Sequence, residues 1–419
     1  MTDDVRYRFI ALISQAFTPG APIDNKDLFA GRRPQVEKLI STIFQKGEHA
    51  ILYGERGAGK TSLANTLFDF LVLMGKFKYY RAKVNCAADM SFEALWKTIF
   101  RQLVFTTTEG LSTTLDELLP ENPNSENIRE TFQLFHDPSI VIIDELDKIT
   151  DREIRRKLAD TIKTLSDNAI DATLILVGVG DSIEQLFGEH RSIERAIAQV
   201  PMRRMVKGEL LEIIDKGLAQ CEGITIDATA KERITDYSQG LPYYTHLLAR
   251  ESGFQAVRSD RTHIEMCDLN EAIKEAVDTK LETNLTEYNK AVSAPRGKNF
   301  KPVLLACALA PKSEQQWFYA RDIVGPVRLI TSTPYDIPAF AKHLKAFCEE
   351  ERGYILERRG PPRKVQYRFV KPLMEPYVIL RGLADGLIAE AQLSRPSRTS
   401  SVPEQLSLLC AASGPAIEI

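Results

Sequence analysis

The residues with the clearest chemistry form one run, Gly54-Glu55-Arg56-Gly57-Ala58-Gly59-Lys60-Thr61, with Gly54, Gly59, Lys60 and Thr61 in the defining positions of a phosphate-binding loop. Glycines let successive backbone N–H groups turn inward around a phosphate, while a lysine reaches the outer phosphates and a hydroxyl holds magnesium. Lys60 and Thr61 take those last two tasks, and Ser62 completes the binding set. A second cluster follows at Asp144 and Glu145, adjacent carboxylates delivered by Ile140-Val141-Ile142-Ile143. Asp144 is placed to reach magnesium, through water. Glu145, beyond the metal's coordination shell, is placed to orient and deprotonate an attacking water. A glycine-rich turn or a solvated acidic turn would account for either run alone. Both in one chain point to phosphoryl transfer to water.

Such residues need strands to deliver them. Residues 50–53 are a short apolar run fit for a buried strand, and residues 61–73 read as a helix whose positive end faces the phosphates. Further strands are expected at 79–85, with Ser91 capping the next helix, at 140–143 and at 173–179. Strand and helix alternate, the pattern of an α/β fold with a parallel sheet, whose ligands bind beyond the strands' carboxyl ends.

A length of 419 residues suits two or three domains, and 44% apolar with 26% charged residues is ordinary for a soluble globular chain. No stretch approaches a membrane span, and the start, Met-Thr-Asp-Asp, lacks the features of a secretory signal, so a cytoplasmic location is expected. Cys86, Cys221, Cys267, Cys307, Cys348 and Cys410 show no Cys-x-x-Cys spacing, which argues against a zinc site or a disulfide framework. The net charge of −3 hides an asymmetry. Residues 1–297 carry 37 basic and 45 acidic side chains, residues 298–385 carry 15 and 9, and residues 386–419 carry 2 and 3. A basic module after an acidic one suits contact with DNA, or is a solvated surface.

With the loop and paired carboxylates in place, the chain resembles an AAA+ ATPase of the branch containing origin-recognition and archaeal initiator proteins, related also to STAND signalling ATPases. The resemblance covers most of residues 25–385 and implies ATP as the nucleotide. Phe29-Ala30-Gly31-Arg32 matches a family motif that packs near the adenine, which implies a binding role for Arg32. Asp181 stands where the family carries its sensor 1 polar residue, often Asn, and Ser182 competes for that place. An acid there would repel the γ-phosphate unless protonated or turned away, and hydrolysis would be slow. The stretch Glu189-His190-Arg191-Ser192-Ile193-Glu194-Arg195 resembles the one bearing the arginine finger given to a neighbouring subunit, Arg195 being the first choice and Arg191 the second. Helix-surface pairing with Glu189 or Glu194 is the plainer reading. Gly240-Leu241-Pro242 resembles the start of the lid helix that contacts adenine, although proline also favours a first helical turn for structural reasons. The sensor 2 arginine of initiators is missing, with Tyr243, Tyr244 and Thr245 in its neighbourhood and Arg250 only a distant substitute.

The last folded part reads as helices at 302–310, 320–329 and 337–347, then strand-like runs at 354–357 and 365–369 around a basic turn. Three helices and a hairpin make a winged helix. Its third helix would lie in the major groove with Lys342, His343 and Lys345 outward, and its wing would bring Arg358, Arg359, Arg363 and Lys364 to the backbone or minor groove. Winged helices also dock proteins. The expected organisation is an N-terminal helical extension at 1–24, an AAA+ P-loop ATPase core at 25–205, a helical lid at 206–297, a winged-helix domain at 298–385 and a flexible tail at 386–419. In the tail, Gln405-Leu406-Ser407-Leu408-Leu409 resembles a motif that docks on the DNA sliding clamp.

The expected function is therefore an initiator-like switch in which ATP joins like subunits, or neighbouring ATPase subunits, and positions winged helices on DNA, in replication, a mobile element or a defence system. Two alternatives stay open. One is a STAND-like switch whose winged helix docks a partner protein encoded nearby; the other is a nucleotide-binding adaptor without turnover.

Overall fold

In the computed structural model, residues 1–390 are described apart from 74, 76, 107–111, 188–192, 294–298, 332–335 and 363. Strands β1 (His49–Gly54), β2 (Tyr80–Asn85), β3 (Ser139–Asp144), β4 (Ala172–Val179) and β5 (Ile197–Pro201) form a parallel sheet in the order β2-β3-β4-β1-β5. Every residue of β3 is buried, as an apolar, β-branched run covered on both faces must be. One face packs against Val36, Leu39, Leu63 and Leu67, the other against Trp96, Phe100, Leu158 and Ile162. Ser91 caps the helix Phe92–Gln102, its hydroxyl accepting from the Ala94 amide at 3.1 Å. Because the strands run parallel, Gly54 at the end of β1 and Asp144 at the end of β3 emerge on the same edge, two strands apart across β4.

The helices Lys207–Ala219, Ala228–Ser238, Pro242–Arg258 and Met266–Glu275 follow. The N-terminal helix Asp3–Ala16 packs into them, with Ile13, Ala16 and Phe17 buried beside Ile214, Tyr244 and Leu248. Phe17 lies so close to Gly217 that a Cβ there would strike its ring.

Beyond residue 299 come the helices Phe300–Leu309, Val324–Thr331 and Ile337–Phe347. A small antiparallel sheet accompanies them, β6 (Phe318–Tyr319), β7 (Leu356–Arg359) and β8 (Gln366–Phe369) in the order β6-β8-β7, and the helix Met374–Ala384 closes this part. Strand β6 was not expected, being too short to show an alternation. One expectation is overturned: His343 does not point outward. It is 4% exposed and sits edge-on to Phe300 at 4.7 Å, on the inner face with Phe340, Leu344 and Phe347. Those positions are three and four apart, the spacing of one helix face.

A buried ion cluster joins the parts. Arg204, in the connector leaving β5, meets Glu55 at 2.6 Å and Glu375 at 2.8 Å, and Lys312 meets the other Glu375 oxygen at 2.8 Å. Burial alone would raise the Glu375 carboxyl, but Arg204 and Lys312 outweigh it and hold it below the ordinary glutamate value. Burial lowers the Lys312 ammonium, with Glu375 opposing. A depressed carboxyl contributes stability that is complete above the unfolded glutamate value of ~4.3 and fades as pH falls through the lower folded value. Glu375→Ala leaves two buried cations without their shared carboxylate, an expected loss of about 3–5 kcal/mol. Urea unfolding at pH 7 checks the loss. An acid series should show wild type losing, below ~4.3, a part of its stability that the variant no longer has.

Candidate nucleotide site

A cavity of about 460 Å³ opens where β1, β3 and β4 end. Gly57, Gly59, Lys60, Thr61 and Ser62 line it on one side with Asp144, Glu145 and Asp147 beside them; Leu28, Phe29, Ile213, Pro242, Tyr243 and His246 line the other. Strand β1 runs into the loop, and the helix Lys60–Val72 leaves it, so the helix N-terminus faces the cavity. Gly54 has to be glycine, since a Cβ would collide with the Met202 carbonyl oxygen. Gly59 takes φ 88°, a conformation that disfavours any side chain.

The Lys60 ammonium is buried and donates to the Gly54 carbonyl at 3.0 Å and the Glu55 carbonyl at 2.8 Å. Burial pushes it down to about 8, with Asp147, Asp144 and Glu55 opposing. It therefore stays largely charged near neutral pH. Asp144 is 2% exposed; its Oδ1 accepts from the Glu145 amide at 2.8 Å, and the Lys83 ammonium stands 3.7 Å from Oδ2. Glu145 has φ 58°, which breaks the strand and sets its half-buried side chain at the cavity, ion-paired with Lys148 at 2.6 Å. A hydroxyl from Thr61 and a carboxylate from Asp144 are the hard oxygen donors that magnesium takes.

Sequence reasoning missed Asp147. Its Oδ1 accepts from the Val179 amide at 2.8 Å, tying the turn after β3 to the end of β4 beside Lys60. The Asp-Glu-Leu-Asp spacing was the available signal. Arg32 lines the cavity, and its guanidinium is engaged in holding backbone: it donates to the Ala58 carbonyl at 2.9 Å and the Arg203 carbonyl at 2.6 Å. Burial lowers its pKa, with Glu209 opposing. Pro242 is the first residue of its helix, and a Cβ built on Gly59 would lie 4.0 Å from its Cγ, so this helix and the loop face each other closely.

Asp181 does not join this site. It lies beyond the end of β4, and its carboxylate pairs with Arg368 of β8 at 2.7 Å. The Ser182 hydroxyl engages Glu184. Arg250 pairs with Glu251 at 2.8 Å and lies over the Phe254 ring, and it is not among the lining residues. Arg204 touches the loop through Glu55, as Arg32 does through Ala58. Arg195 is exposed in the turn before β5. Arg191 and Arg363 lie outside the described residues, as does the tail segment at 405–409. Lys342, Lys345, Arg358 and Lys364 are exposed; Arg359 is exposed too, with its guanidinium 4.2 Å from the Trp317 ring centroid. Among the described residues, no helix is long and apolar enough to cross a membrane, and no cluster of three or more histidines, cysteines or acids is placed to hold a metal.

Residues 45–187 match the family model described as AAA domain. The 26S proteasome subunit RPT4 of Saccharomyces cerevisiae is 25% identical over 276 residues, which are 62% of this chain and 54% of the relative. The chain thus spans about half the length of the curated relative it matches. Among solved structures, Cdc6p of Pyrobaculum aerophilum is 16% identical and covers 90% of this chain and 99% of its own, with a TM-score of 0.44. The ORC1 protein of Aeropyrum pernix, solved in complex with DNA, is 13% identical over 91% of this chain and 98% of its own at 0.45. The Walker-type ATPase of Pyrococcus abyssi is 14% identical over 86% and 99% at 0.49. With its phosphate loop, parallel sheet and paired carboxylates, this chain carries an AAA domain at residues 45–187, on a P-loop NTPase fold.

Proposed function

We propose that this chain is an initiator-like AAA+ ATPase, a switch in which ATP closes the lid, joins neighbouring subunits and positions a winged helix on DNA. The observation that carries the reading is the single cavity in which the phosphate loop, the paired carboxylates and the lid helix beginning at Pro242 meet. Lys60 exchanges its two carbonyl partners for the outer phosphates. Glu145 takes a proton from the attacking water as the new P–O bond forms and the bond to the leaving ADP oxygen breaks. Thr61 and Asp144 would hold magnesium, which supplies positive charge to the phosphates when bound. Arg195, exposed beside β5, is the candidate cation for a neighbouring copy.

The DNA part of the reading rests on the helix Ile337–Phe347 and the strands β7 and β8. Lys342 and Lys345 stand on the exposed face of the helix, and Arg358 and Lys364 are exposed around the hairpin. His343, buried against Phe300, is not on that face. A STAND-like switch that docks a protein is the second reading, favoured by Tyr243 at the cavity where initiators carry a cation.

Two experiments test this. Glu145→Gln should retain ATP but lower its turnover by on the order of 100-fold or more, with Lys60→Ala losing ATP binding; stimulation by duplex DNA in wild type alone supports the first reading, and Glu145→Gln turnover equal to wild type refutes the general-base role. Binding to a duplex across a salt series should give a slope near 0.9 per phosphate contact, falling by about 1 in Lys342→Ala or Arg358→Ala. A flat salt series would exclude DNA at this face.

A further inference from the structure

His246, one helical turn past Pro242, also lines the cavity. The side chain is 6% exposed and packs edge-on against Phe17, the ring centroids 6.1 Å apart. Its Nδ1 is sealed from solvent with no hydrogen-bond partner. The residue lines the cavity, which makes Nε2 the nitrogen available to a ligand there. Burial pushes the imidazole down to about 4, so near neutral pH the ring carries one proton. A sealed N–H without an acceptor costs more than a sealed lone pair without a donor, which places that proton on Nε2. The cavity therefore holds a neutral donor together with apolar lining from Leu28, Phe29 and Ile213.

We propose that His246 is a base-reading residue of this site, its Nε2–H donating to a ring nitrogen of the purine while the apolar walls take the faces of the base. The inference rests on the cavity being the ATP site. It assigns a specificity role to a residue that contributes nothing to the phosphate chemistry. Tyr243, one turn earlier on the same helix, lines the same cavity.

Competition binding of ATP and of its 1-deaza, 3-deaza and 7-deaza analogues, each with one ring nitrogen replaced by C–H, tests the contact in the full chain. Wild type should bind one analogue on the order of tenfold more weakly than ATP. His246→Phe should abolish that difference. His246→Gln should keep it, because the glutamine amide reaches the place of Nε2. No penalty for any analogue in wild type overturns the proposal, as does a penalty of unchanged size in His246→Phe. His246→Leu, a second variant without a donor, gives the same readout where the phenylalanine variant does not fold. ATP binding lost in Lys60→Ala but free of any deaza penalty in wild type would leave the ATP site standing and remove His246 alone. Absence of ATP binding by wild type would remove both.

Discussion

Parallel strands buried on both faces impose the constraint from which the site follows. Strands that cannot meet water must be apolar along their length and can turn polar only where they end. In β3 that means a continuous apolar run and then Asp144; in β1 it means Gly54 and the loop. Since all five strands point the same way, every such ending lies on one edge. The helices and the C-terminal sheet then arrange themselves around that edge. Asp147 bound to the end of β4, and Arg32 bound to the loop and to the connector after β5, hold the ends of neighbouring strands in place.

Within that frame the charged groups divide by environment. Lys60 is buried yet surrounded by three carboxylates, and it stays a cation with its charge directed at the loop. Asp144, almost wholly enclosed, has Lys83 beside it. Glu145 remains half-exposed and paired only with a surface lysine, free to reach water. An enclosed acid and a half-exposed acid thus sit next to each other in sequence, separated in character by one backbone kink at φ 58°.

Much of this was legible in the amino-acid order because the signals are local. The phosphate loop, the apolar run before Asp144 and the Ser91 cap each occupy a few consecutive residues. The helical spacing of Phe340, His343, Leu344 and Phe347 was equally legible and was outweighed by the neighbouring lysines, which is why His343 was assigned outward. Contacts between distant segments left no such trace. Arg204 reaches Glu55 and Glu375, and Arg368 reaches Asp181, across well over a hundred residues of chain. The partner of an isolated acid or arginine cannot be read from its neighbours. The pairing of Asp181 with Arg368 was out of reach for that reason, and the packing of the helix Asp3–Ala16 beside Ile214, Tyr244 and Leu248 was equally invisible.

The ion cluster has a further consequence. Glu55 belongs to the phosphate loop, Glu375 opens the last helix, and Arg204 binds both. A ligand that alters the loop so as to loosen Arg204 changes how firmly the C-terminal part is held. By thermodynamic reciprocity, whatever engages that part and loosens Arg204 alters nucleotide affinity by the same factor. The two ends of the molecule are then read as one equilibrium, and nucleotide affinity measured on the isolated chain is a property of the docked arrangement as well as of the loop.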